Sequence, residues 1–242
     1  MDKQAIENSD VLVRGGNRWQ QGLLVLFLVA VILFFILPLF LGRGSRRADM
    51  TETVSNAKQV YLLMVEIDQE FGEFPGDATA VLHKGVNGEP DLDLRPYKGQ
   101  YSNDYFGQFI AAGYTKSEEI FYAKGSKGKF KKPDNQIGSV EQILEAGECG
   151  FAYVKGQSTS DQSGRPILMA PMSGRGLTFD RKVYDGKGIV LRIDGSVKQH
   201  RLNKSGEAII KEGETLFDSG LGTVWEKGGF NRSWVVLPEM LK

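Results

Sequence analysis

The sequence predicts an α+β protein: an N-terminal transmembrane helix, then an amphipathic helix packed on a small antiparallel β-sheet. Three observations carry this. Residues 22–42 read GLLVLFLVAVILFFILPLFLG without a charge, apolar residues recur at helical spacing from Val54 to Phe71, and the C-terminal half alternates β-like runs with glycine-rich turns.

The division that follows is 1–20 as a polar tail, 21–42 as the transmembrane helix, 43–48 as a basic linker, and 49–242 as the folded domain. The first 20 residues show no clear periodicity. A helix rises about 1.5 Å per residue and a hydrocarbon core is about 30 Å thick, so the apolar run is long enough to span. A core helix would carry a polar face, and a signal peptide would have a shorter apolar stretch and a small-x-small cleavage site. Instead Gly42-Arg43-Gly44-Ser45-Arg46-Arg47 follows. Lys3, Arg14 and Arg18 on one side balance Arg43, Arg46 and Arg47 on the other, so charge does not decide orientation.

Asp49 with Glu52 has the form of a capping box, opening a helix whose apolar series is Val54, Ala57, Tyr61, Met64, Ile67 and Phe71, widened by Val60 and Leu63. Thr53, Asn56, Glu66 and Glu70 fall on the opposite side, and Gly72 and Pro75 end the helix. Residues 75–100 read as loop. A second helix is predicted over 103–112, where Tyr105, Phe106, Phe109 and Ile110 share one face. Residues 118–123 read as a short strand or an extended segment, 140–144 as a short helix or turn, and GFAYV (150–154) and PILMA (166–170) as strands. GIVLRI (188–193), Asp194-Gly195 and SVKQHRL form the best hairpin. A two-residue type I′ turn would set Leu191 opposite Lys198, so a longer turn or a bulge is the open alternative. Ala208–Ile210 and Trp234–Leu237 are short apolar runs in a glycine-rich tail.

Composition narrows function. With 30 basic and 30 acidic residues no bulk field favours nucleic acid. The single cysteine, Cys149, excludes an intramolecular disulfide and a cysteine-cluster metal site. It reads as a packed residue, since only His83 and His200 could serve a catalytic thiol as base. There is no phosphate-binding loop, no G-x-S-x-G elbow and no Ser-x-x-Lys. Lys124, Lys127, Lys129, Lys131 and Lys132 read as a solvated loop, with anionic lipid or an acidic partner as the alternative. Asp91 and Asp93 place two hard oxygens in a loop where a calcium site could begin. Phe71, Phe74, Tyr105, Phe106, Phe109 and Phe121 read as core, while Trp225 and Trp234 could be core or binding surface. The sequence assigns no catalytic, cofactor-binding or metal-binding residue, and no cofactor.

Residues 55–75, SNAKQVYLLMVEIDQEFGEFP, resemble the stalk helix of type IV pilins and type II secretion pseudopilins. Residues 102–122 and 188–197 are similar to a glycine-rich pilin-like subgroup of planctomycete and verrucomicrobial bacteria. The resemblance implies a non-enzymatic, membrane-anchored accessory or structural component of a pilus-like or type II secretion-like envelope assembly. It also implies an inner-membrane address, with residues 1–20 cytoplasmic and the pilin-like domain, 49–242, periplasmic. Its expected partners are the membrane and other envelope, secretion or pilus proteins, with no nucleic acid and no evident small-molecule substrate. Prepilins carry a Gly-Phe cleavage site and an acid inside the apolar segment; this sequence has neither, so the expectation is a chain neither cleaved nor polymerised. The alternative reading is an envelope binding module or hydrolase that engages glycan or peptide through the tryptophans or the Asp91 loop.

Overall fold

The computed structural model describes residues 3–85, 90–174 and 176–242, except the side chains of 3–18, 20–21, 33 and 35–44. The chain divides into two compact units, Met1–Ser45 and Arg46–Lys242.

One helix, α1 (Lys3–Phe71), makes up the described backbone of the first unit and enters the second. This corrects three expectations. The backbone of 3–20 is helical, because extending an existing helix fixes one residue per hydrogen bond and avoids a new nucleus. The glycines at 42 and 44 do not interrupt it, since an interior glycine costs only about 1 kcal/mol. Asp49 caps no N-terminus; its carbonyl accepts from Thr53 Oγ1 (3.0 Å) and its carboxylate pairs with Lys124 Nζ (2.5 Å).

The transmembrane helix is also corrected: among the described residues no helix is long and apolar enough to cross a membrane. The unbroken apolar run with described side chains is 22–32, which at about 1.5 Å per residue rises roughly 16 Å, half of a hydrocarbon core. The rest of the expected span, 33 and 35–42, has its side chains outside the described residues, as do Lys3, Arg14, Arg18 and Arg43.

In the second unit, α1 buries a stripe of Thr53, Asn56, Ala57, Val60, Met64 and Ile67. Thr53 and Asn56 belong to the buried face, contrary to expectation, because each finds a polar partner there. Thr53 Oγ1 lies 2.6 Å from the Tyr184 hydroxyl, and Asn56 Nδ2 donates to the carbonyls of Glu119 (3.0 Å) and Tyr122 (2.9 Å). Gly72, at φ +82°, ends the helix with its amide on the Asp68 carbonyl.

After a two-stranded ribbon of β1 (Leu82–His83) and β2 (Leu92–Asp93) comes α2 (Ser102–Ala111), whose Phe106 and Phe109 stack on Phe121 at 5.3 and 5.9 Å between centroids. A 3₁₀ turn, Glu119–Phe121, stands where a short strand or extended segment was expected. The main sheet comprises β3 (Ala152–Val154), β4 (Pro166–Ala170), β5 (Lys187–Arg192), β6 (Val197–Arg201) and, after the small hairpin β7 (Ile209–Lys211) and β8 (Glu214–Thr215), β9 (Val235–Val236). Its order is β6-β5-β4-β3-β9, every pairing antiparallel.

The β5–β6 register resolves the open hairpin. Leu191 faces Val197, not Lys198, and Arg192 N donates to the Ser196 carbonyl across a three-residue loop. Gly195 takes φ +75°, so the extra residue is a glycine bulge, and it also passes beneath the Tyr61 ring, where a Cβ would come within 2.6 Å of Cε1.

Pleating sends alternate residues to two cores. Tyr153, Leu168, Ala170 and Leu191 meet α1 and α2, whereas Ala152, Val154, Met169 and Val190 meet Leu202, Ala208, Leu216 and Trp225 from the C-terminal segment. Burial on both faces explains why PILMA reads as an uninterrupted apolar run.

Candidate functional site

The segment between α2 and β3 gathers three acids that are well separated in sequence. The 3₁₀ turn sets Glu118 at its entry, a loop through Asn135 (φ +59°) brings in Asp134, and a turn after Leu144 (φ +51°) delivers Glu148. One carboxylate oxygen of each lies within 4.8 Å of the others. Glu118 and Glu148 are fully buried and Asp134 is exposed.

The scaffold is rigidly bonded. Glu118 N donates to Asn135 Oδ1 (2.8 Å), Leu144 N donates to Glu118 Oε1 (2.6 Å), and Glu145 N donates to Glu148 Oε2 (2.8 Å). Asn103, buried on α2, donates to the carbonyls of Leu144 (2.7 Å) and Glu145 (3.2 Å) and accepts from Glu239 N (2.9 Å). Each glutamate thus has one oxygen on a backbone amide. Glu118 Oε2 and Glu148 Oε1 have no hydrogen-bond partner among the described residues, although Lys131 Nζ stands 3.3 Å from the latter while bonding Glu145 at 2.6 Å.

Burial pushes the Glu118 carboxyl above the ordinary carboxylate range, the Leu144 amide opposes this, and the charge on Glu148 adds to it. Glu148 is likewise raised by burial and is opposed by the Lys131 ammonium. A buried carboxylate oxygen without a hydrogen bond is costly, and of these two only Glu148 Oε1 has a cation beside it.

Of the sites expected from sequence, Asp91 and Asp93 do not combine into an open oxygen pair. Asp91 bonds Lys84 Nζ (2.7 Å) and Gly85 N (3.0 Å). Arg95 grips Asp93 through Nε (2.8 Å) and Nη2 (2.7 Å), holding its carboxyl down at about 2. Cys149 is sealed in the helix-side core, its thiol pushed up to about 12 by burial, with contacts to Ser102 Oγ and the Phe151 carbonyl. His83 packs on Phe71 at 4.4 Å and bonds the Thr79 carbonyl, and His200 bonds that of Ile209, so neither stands as a base for the thiol.

The lysine loop is more engaged than a solvated loop: Lys124 pairs with Asp49, Lys129 with the Leu241 carbonyl, and Lys131 with Glu145 and Glu148. Trp225 is fully buried, its indole N–H donating to the Leu216 carbonyl (2.9 Å) and Arg165 lying over its ring at 5.3 Å. Trp234 is half-buried beside it at 6.0 Å. The pair is therefore part of the second core and offers no exposed stacking platform.

Sequence reasoning missed the acidic cluster because its members share no element and no recognisable spacing. Asn103 on α2 positions only the Leu144–Glu145 turn that carries Glu148, and nothing in the sequence around Asn103 announces that role.

Among the described residues, apolar surface is exposed in both units. In the first unit Leu23, Leu24, Val25, Leu26, Phe27 and Phe34 are all more than half exposed, Leu26 at 71%. In the second, Leu62, 66% exposed, edges a groove of about 430 Å³ alongside Leu63, Tyr114 and Ile120. Comparison of the chain with protein-family models, with curated proteins and with solved structures returns no match.

Proposed function

We propose that the chain is a non-enzymatic, pilin-like component of a type IV pilus-like or type II secretion-like envelope assembly, structural or accessory, joined to other subunits through the apolar part of α1. The observation that supports it is the exposure of 22–30 and Ile32 on α1, a stretch without a charged residue. A helix apolar all round belongs inside something, and burying one leucine is worth about 1.5–3 kcal/mol. Helices of neighbouring subunits are the occupant this reading commits to, and the reading does not require a bilayer-crossing segment. The stalk-like string 55–75, packed on an antiparallel sheet, agrees with it.

The test is mild-detergent affinity purification of the full-length chain from its own cells, with a photo-crosslinking residue at Leu28 and adducts read by mass spectrometry. Adducts to pilus or secretion subunits are expected. Adducts to lipid alone, or none, would overturn the proposal.

A further inference from the structure

We infer that Glu118, Asp134 and Glu148 form a binding site for a divalent cation of calcium's size, which ties together the 3₁₀ turn, the loop through Asn135 and the turn after Leu144. This goes beyond the assembly reading and does not depend on it.

Two observations carry the inference. The first is spacing: calcium takes oxygen ligands at about 2.3–2.6 Å, so opposed ligands stand about 4.6–5.2 Å apart, and three oxygens from separate carboxylates within 4.8 Å fit around one such ion. The second is the orphaned Glu118 Oε2. Glu118 is wholly buried, its other oxygen is already committed to the Leu144 amide, and no cationic side chain pairs with it among the described residues. A purely structural acid would have both oxygens met by donors, and Oε2 of this one has no hydrogen bond among the described residues.

Lys131 does not fill the role. Its ammonium bonds Glu145 at 2.6 Å and reaches only Glu148 of the three, at 3.3 Å. Its side chain is 37% exposed, so it can stay with Glu145 when an ion takes Glu148. Asp134 gives the site its access, since it is exposed and, among the described residues, bonded by Gln136 two positions on. Hard oxygens with no nitrogen or sulfur donor select calcium over zinc or copper.

The experiment is a calcium titration of the full-length, EDTA-stripped chain by calorimetry, with thermal melts in calcium and in EDTA. One ion per chain is expected. At about 100 times Kd the melting point should rise by roughly 5–10 °C. Asp134→Asn, a surface change that leaves the fold intact, should weaken binding at least tenfold and shrink the rise. Glu118→Gln separates the readings further. If calcium binds, the variant loses the calcium-dependent rise, whereas with no ion it removes an orphaned buried charge and melts at or above wild type in both buffers. Absence of binding heat together with equal melts in calcium and EDTA would overturn the inference, as would a calcium rise undiminished in both variants.

Discussion

The two faces of the main sheet are covered by opposite strategies. On one, α1 and α2 lay regular helical stripes, Ala57, Val60, Met64 and Ile67 from the first and Tyr105, Phe106, Phe109 and Ile110 from the second. On the other, residues 202–237 supply two-residue and three-residue strands, turns and a single large keystone, Trp225, ringed by Phe230, Trp234 and Arg165. The helical cover is held by repetition along a rigid rod, so its contacts are many and similar. The tail cover is held by a few large groups, so its stability is concentrated.

Trp225→Ala should expose that concentration most. Loss of about 3–5 kcal/mol is expected from the cavity and the unmade indole bond. In hydrogen exchange the amides of 203–234 should lose protection well before those of 53–67; uniform loss across both would contradict the division. Met64→Ala, a buried residue in the middle of the helical stripe, should cost about 2–5 kcal/mol in urea unfolding, with protection falling on both faces together. Asn56→Ala leaves the carbonyls of Glu119 and Tyr122 without their side-chain donor at a partly buried site, and about 1–3 kcal/mol is expected, read as an earlier loss of protection around 119–122.

The smallest effect concerns pH. His200, on edge strand β6, has Nδ1 at 3.1 Å from the Ile209 carbonyl, linking sheet to tail, and Nε2 at 3.5 Å from Arg192 Nη2. Burial lowers its pKa below 6.5, the Ile209 carbonyl opposes this, and the nearby charges of Arg192 and Lys198 lower it further. The unfolded chain therefore takes up the proton first on acidification. The contribution is full above pH 6.5 and is lost as pH falls through the folded value. Between pH 7.5 and 5, His200→Asn should lose less stability than wild type in urea titrations. Parallel curves would show that the histidine does not join the tail to the sheet.

Legibility followed the same line. The 3.6-residue spacing of the α1 and α2 stripes, the PILMA strand and the Asp-Gly hairpin are local patterns, and the structure places elements close to the expected positions. Thr53 and Asn56 look solvent-facing by polarity alone, and only Tyr184 and two carbonyls across the interface make their burial favourable. The apolar run around 22–42 read as a membrane span, yet the described part of it is too short for one. Gly150 is a subtler case: a Cβ there would stand 2.1 Å from the Ala123 carbonyl oxygen, a close approach of two backbones that no spacing rule reveals. The acidic cluster was invisible for the same reason, whereas the Asp-x-Asp pair that was visible proved to be neutralised by Lys84 and Arg95.

The sequence by itself determined the apolar stripes of α1 and α2, the PILMA strand and the Asp-Gly hairpin, because periodicity, glycine and proline act over a few residues. Only the tertiary structure decided that β9 closes the sheet beside β3, that Trp225 roofs its second face, and that Glu118, Asp134 and Glu148 converge. Those outcomes depend on contacts between residues far apart in the chain, where burial and the satisfaction of each polar group are properties of the whole fold and not of any local stretch.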